Sequence, residues 1–263
     1  MANKWIVTAP DNAAAPHSPV LYCFHHAGGS AASYNGWCTT WPAGSRLRFV
    51  ELPGRPGAPE PLPFTEVEAL MPPLLRAFLD QHETDTPYAF YGHSLGALVA
   101  YRLTRALLAH GHAGPALLAV SGRRAPTAPL RGEALWNLPE AALIEALRAL
   151  GGMAQPLLAS AKWRDLFLPI MRADLRLSDE YQEAPDAPLP MPLLALHGHD
   201  DPIVPLHELN AWRALAGAGF EQAAMPGTHF FTAEGLLRVR QRLQDALAGI
   251  RAAHPHGAPQ CVN

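Results

Sequence analysis

The sequence predicts an α/β fold in which a mainly parallel sheet is covered by helices on both faces. Three observations carry the prediction. Segments that read as strands, several of them compact apolar runs, recur at 20–24, 46–52, 88–91, 115–121, 193–196 and 220–225. Segments with helical apolar spacing separate most of them. One run passes through Gly92-His93-Ser94-Leu95-Gly96 into a stretch of helical composition, so that strand, sharp turn and helix follow without a linker. A chain of 263 residues, almost half hydrophobic, can fill one core with an insertion.

In chain order, residues 4–8 read as a short edge strand and 20–24 as a buried one, the latter ending in His25-His26-Ala27-Gly28-Gly29-Ser30. The strand at 46–52 closes in Pro53-Gly54-Arg55-Pro56-Gly57. Residues 66–82 place Val67, Leu70, Met71, Leu74, Leu75 and Phe78 at helical spacing despite Pro72-Pro73. After the strand at 115–121 the alternation breaks: 126–190 holds helical patterns at 139–150 and 161–181, bracketed by proline-rich stretches. This segment is expected to be a helical lid inserted into a single domain of residues 1–263. Strand, helix (206–215), strand (220–225) and helix (233–252) complete the pattern, and 254–263 read as an unstructured tail.

Composition removes several function classes. A net charge of −3 without a basic stripe argues against nucleic acid as a partner. No apolar run is long enough for a membrane span, and the three cysteines fit free thiols in a reducing compartment, so a cytoplasmic protein is expected.

The chemistry sits in loops that follow strands. A serine between glycines two residues either side suits a strained strand-to-helix turn, where larger side chains would clash. Ser94 is therefore the candidate nucleophile. A serine hydroxyl needs a base, and the base an orienting acceptor, in the chain order Ser, Asp, His for this topology. His229, just past the strand at 220–225, is the candidate base. Asp200 and Asp201 both follow the strand at 193–196; Asp201 is favoured, with Asp200 the alternative and the unused one expected to cap the turn. The oxyanion donors are expected to be the N–H groups of Leu95 and of Ala27 in the early glycine-rich loop. His197-x-His199-Asp200 has metal-ligand spacing but lacks further suitably spaced ligands, so neither a metal nor a cofactor is expected.

These motifs form an ordered set. Cys23-Phe24-His25-His26-Ala27-Gly28-Gly29, Glu51-Leu52-Pro53-Gly54-Arg55, Tyr91-Gly92-His93-Ser94-Leu95-Gly96, Leu168-Pro169-Ile170-Met171-Arg172-Ala173-Asp174 with Tyr181, and Gly227-Thr228-His229-Phe230-Phe231 span 21–231. The set resembles the type II thioesterases, stand-alone α/β-hydrolases that accompany nonribosomal peptide and polyketide synthases. Two positions depart from the usual pattern: His25 where proline is common, and Thr228 where glycine is. The resemblance implies an α/β-hydrolase fold and hydrolysis of acyl groups from the phosphopantetheine arm of acyl or peptidyl carrier proteins, by an enzyme expected to be a monomer. A small-molecule carboxylesterase or acyl-CoA thioesterase is the competing enzymatic reading, and an inactive binding protein of the same fold the non-enzymatic one.

Overall fold

A computed structural model describes residues 5–9, 17–42, 44–56, 58, 62–130, 134–151 and 160–254. The anticipated tail lies, from residue 255 on, outside the described residues. A seven-stranded sheet forms the centre, in the order β1-β3-β2-β4-β5-β6-β7. Its strands are β1 (Ile6–Thr8), β2 (Val20–Phe24), β3 (Arg46–Val50), β4 (Tyr88–His93), β5 (Leu117–Ser121), β6 (Leu193–Gly198) and β7 (Phe220–Met225). Only β1 runs antiparallel, against β3 at the edge.

The inner strands β2, β4, β5 and β6 are buried on both faces because both faces are covered. Along β2, Val20, Tyr22 and Phe24 enter one core while Leu21 and Cys23 enter the other. The same alternation runs through β4, where Tyr88 and Phe90 oppose Ala89 and Tyr91. Trp37, on the short helix α1 (Asn35–Cys38), stacks with Trp41 on the second face. Helix α2 (Val67–Gln81) continues through Pro72 and Pro73. Each proline removes a backbone donor, and burial of Leu70, Met71, Leu74, Leu75 and Phe78 holds the helix in place of those bonds. Helix α3 (Leu95–Ala109) is buried almost all round over its first two turns, which explains its lack of charge there.

After β5 the insertion contributes α4 (Glu140–Leu150) and α5 (Ala161–Asp179). Leu143, Ile144 and Leu147 of α4 pack with Leu168, Met171 and Leu175 of α5, and Ala27 of the loop after β2 joins that cluster. The exit of the insertion is gripped by α3: the Glu183 carboxylate accepts from the hydroxyls of Tyr101 and Tyr181 and from Arg102. The segment 206–215, expected as one helix, divides into α6 (Leu206–Asn210) and a 3-10 turn (Ala211–Leu215). Trp212 in that turn is fully buried and donates its indole N–H to the Arg123 carbonyl at 2.8 Å, so tertiary packing decides the local geometry. Helix α7 (Ala233–Ala253) closes the second face.

Sheet order positions the site. The strands β2 and β4 are neighbours, with Phe24 paired to Gly92, although β3 lies between them in sequence. The chain reverses its lateral direction here, and a crevice opens beyond the carboxyl ends of these two strands. The loop beginning at His25 therefore faces the turn bearing Ser94.

Candidate active site

Ser94 has φ 55 and ψ −117, a conformation that non-glycine residues seldom adopt. The flanking glycines make it possible. A Cβ on Gly96 would lie 2.0 Å from the Phe24 carbonyl oxygen, and one on Gly92 would lie 2.2 Å from that of Gly96. Close approach of β2, β4 and α3 is thus the physical reason for the glycine spacing. The Ser94 N–H donates to the Ser121 carbonyl at 2.8 Å, fixing the turn against β5. Leu95 begins α3, so its N–H has no intrahelical acceptor and lies at the positive end of the helix dipole.

The strands β6 and β7 pair in parallel, with Gly198 opposite Met225, and their following loops run together. His229 Nδ1 donates to Asp201 Oδ2 at 3.1 Å, with both side chains buried. The other carboxylate oxygen, Oδ1, accepts from the N–H groups of Ile203 at 2.8 Å and Val204 at 3.2 Å. Asp201 therefore both orients the imidazole and caps the turn. The expectation that the second aspartate would cap the turn is corrected: Asp200 is exposed and meets the exposed His199 at 2.9 Å. Burial opposes ionisation of Asp201, but the hydrogen bond and charge of His229, with the two turn N–H groups, outweigh it. The carboxyl is held below its ordinary range.

Ser94 and His229 line one cavity of about 60 Å³ with His26, Ala27 and Phe230. Leu147, Leu150 and Gly151 of the insertion, and Met171 and Leu175 of α5, form the rest of its wall. The other histidines nearby are committed to structure. His93 is buried, with Nδ1 at 2.9 Å from Ser121 Oγ, and burial together with His229 and His26 holds its pKa well below the usual value. His26 donates from Nδ1 to the Ala27 carbonyl at 2.9 Å and meets the Phe230 ring edge-on. Among the described residues no group of three or more His, Cys, Asp or Glu side chains is placed to hold a metal ion. Cys23 is a free thiol in the core.

Three residues acquire parts that sequence reasoning had not given them. His25, in the place of a common proline, is buried; its Nδ1–H donates to the His26 carbonyl and its Nε2 accepts from the Leu52 N–H at 3.3 Å. Burial and the nearby Arg55 guanidinium keep its pKa well below the usual value. Arg55 and Asp174 form a buried ion pair beside the same loop. A signal for Asp174 was present: Phe167, Met171 and Asp174 follow helical spacing, which puts a carboxylate in an apolar stripe.

A strained serine at a strand-to-helix turn and a histidine held by a buried aspartate, both lining one cavity, form the arrangement expected of a serine hydrolase on an α/β-hydrolase frame. Comparison with known proteins narrows that class. Residues 19–247 match the family model described as thioesterase domain, and the chain belongs to the thioesterase family. It is 33% identical to the gramicidin S biosynthesis protein GrsT of Aneurinibacillus migulanus, over 88% of this chain and 89% of that protein. The solved thioesterase RedJ, from the prodiginine pathway of Streptomyces coelicolor, superposes with a TM-score of 0.80 at 33% identity, covering 87% of this chain and 85% of that one. The type II thioesterase BorB from the borrelidin biosynthetic cluster gives 0.80 at 30% identity, covering 93% and 96%. The enzyme is a serine thioester hydrolase of the type II kind. Among the described residues no helix is long and apolar enough to cross a membrane.

Proposed function

We propose that this enzyme removes acyl groups from the phosphopantetheine thiol of acyl or peptidyl carrier proteins, clearing stalled or misprimed chains from a nonribosomal peptide or polyketide synthase. Ser94, His229 and Asp201 form the triad, and the N–H groups of Ala27 and Leu95 form the oxyanion hole. The insertion at 126–190 serves as the lid of a single domain that works as a monomer in the cytoplasm. One observation carries the reading. The cavity beside Ser94 and His229 is small, lined mainly by apolar side chains, and walled by the insertion, which suits an acyl group presented on a slender arm.

Ser94 Oγ attacks the thioester carbonyl carbon while His229 Nε2 takes its proton, and the carbonyl electrons move onto the oxygen facing Ala27 and Leu95. Collapse of that oxyanion breaks the carbon–sulfur bond. A thiol ionises near ~8.5, so the leaving group needs little acid help, and the imidazolium returns the proton to it. Water then attacks the acyl-enzyme with His229 again as base, releasing the carboxylic acid and Ser94. Throughout, Asp201 holds the Nδ1–H tautomer and stabilises the imidazolium.

The test compares kcat/KM for one acyl group on a carrier protein and on its N-acetylcysteamine thioester. Preference for the carrier by about tenfold or more, equivalent to roughly 1.4 kcal/mol of transition-state binding, supports the reading. Equal values would assign the enzyme to small thioesters and esters instead.

A further inference from the structure

The hydrogen bonds around the glycine-rich loop connect the oxyanion site to the insertion. In a trans peptide the N–H points opposite to the preceding carbonyl, so whatever holds the His26 carbonyl aims the Ala27 N–H. That carbonyl accepts from the Gly29 N–H at 2.9 Å and from His25 Nδ1 at 2.9 Å. Gly29 is held in turn: its carbonyl accepts from Arg55 Nε at 3.0 Å. Between them, the Gly28 N–H donates to Asp174 Oδ2 at 2.7 Å. Arg55 closes the circuit by meeting both Asp174 oxygens, Nη1 to Oδ1 at 3.0 Å and Nη2 to Oδ2, while Nη1 also reaches the Pro53 carbonyl at 2.8 Å. Asp174 lies on α5 of the insertion, 146 residues from Gly28.

Sterics restrict the loop at the same point. Gly28 has φ +70, and a Cβ there would meet the Met171 methyl at 2.4 Å and the Phe167 ring at 2.5 Å, both from α5. The loop is pressed against α5 as well as bonded to it. Asp174 is 1% exposed and Arg55 7%, so the pair acts in a medium where misalignment is costly.

We propose that Arg55 and Asp174 are positioning residues for the oxyanion hole: seating α5 on the loop is what aims the Ala27 N–H, so lid placement and transition-state stabilisation are one event. The proposal rests on the assignment of Ala27 as an oxyanion donor. Binding of the acyl group precedes the need for that donor, so the effect belongs in kcat more than in KM.

Three proteins test it: wild type, Asp174→Asn, and the paired Arg55→Met/Asp174→Leu. The pair removes both charges together, which keeps the variant foldable where a lone buried arginine could prevent folding. Each is measured for kcat and KM on an acyl-N-acetylcysteamine thioester, and for inhibition by a trifluoromethyl ketone of the same chain. Ser94 adds to that ketone to give a hemiketal oxyanion, its proton passing to His229, so the inhibitor reads the hole directly. The expected result for both variants is a kcat lower by roughly 10- to 100-fold, KM within about twofold, and inhibition weakened by a similar factor. Folded variants with wild-type kcat and wild-type inhibition overturn the proposal while leaving the triad intact. So does a change confined to KM. A separate control, complete labelling of wild type at Ser94 by a fluorophosphonate and none of Ser94→Ala, isolates the underlying site: its failure would remove the assignment of the hole and this inference together.

Discussion

Replacing Asp201 by asparagine offers a sharp test, because the two oxygens of its carboxylate have different duties. One accepts from His229 Nδ1 at 3.1 Å, the other from the N–H groups of Ile203 and Val204. Asparagine has one acceptor and one donor end, and either orientation leaves a mismatch. With the amide nitrogen toward the turn, it would oppose two backbone donors, at a cost of about 1–3 kcal/mol for each group left unsatisfied. With the nitrogen toward His229, the turn is kept, but Nδ1 must become an acceptor and the proton moves to Nε2, where it blocks the base. The second orientation leaves fewer groups unpaired and is expected to prevail. The fold then survives while the imidazole sits in the wrong tautomer, a change that lowers turnover by about 10⁴-fold where it has been measured in such a triad. That factor corresponds to roughly 5.5 kcal/mol of barrier. Asp200→Asn alters only an exposed contact with His199 and should leave turnover within about twofold. Thiol release from an acyl-N-acetylcysteamine substrate, followed by a chromogenic disulfide, measures both. Retention of more than about a tenth of wild-type kcat by folded Asp201→Asn, or an equal loss in Asp200→Asn, would refute this account.

Ser94→Ala should remove hydrolysis by several orders of magnitude without lowering thermal stability, since the hydroxyl is not needed for packing; activity above about 1% in purified variant would count against an acyl-enzyme. Gly96→Ala should destabilise by about 3 kcal/mol or more, because the Phe24 carbonyl 2.0 Å from the new Cβ is backbone that cannot swing aside. Calorimetry is expected to show the melting temperature lowered by at least about 6 °C. The depressed pKa of Asp201 sets a pH dependence: its ionised form stabilises the fold above the unfolded value near ~3.9, and that contribution is lost as pH falls through the lower folded value. Urea unfolding of wild type and Asp201→Asn should therefore give a stability gap at pH 7 that narrows in acid below about pH 4, whereas a constant gap would place the carboxylate's contribution elsewhere.

Local chemistry made much of this protein readable in advance. The strand at 20–24 lies where its apolar run does, because a strand buried on both faces needs no polar positions. Ser94, Asp201 and His229 likewise could be singled out because they lie in loops directly after strands; His229 meets Asp201, and it lines one cavity with Ser94. What escaped was decided by distant partners. Nothing near residue 210 announces the change from helix to 3-10 turn, which depends on Trp212 reaching Arg123. Asp201 capping its own turn could not be separated from capping by Asp200, since the two are adjacent and either could serve. The joining of Arg55 to Asp174 spans 119 residues, and only the folded chain brings these motifs together.

The grip of α3 on Glu183 bears on how such enzymes can be recombined. Tyr101 and Arg102, which hold that carboxylate, belong to the helix that begins immediately after Ser94, whereas Tyr181 and Glu183 travel with the insertion. A chimera that exchanges residues 126–190 between relatives therefore carries only half of this joint and must find the other half in the recipient. Donor and recipient have to be matched at Tyr101 and Arg102 as well as at the cavity wall. A transplant chosen for the acyl group it accommodates would otherwise arrive unlatched from the nucleophile's own helix.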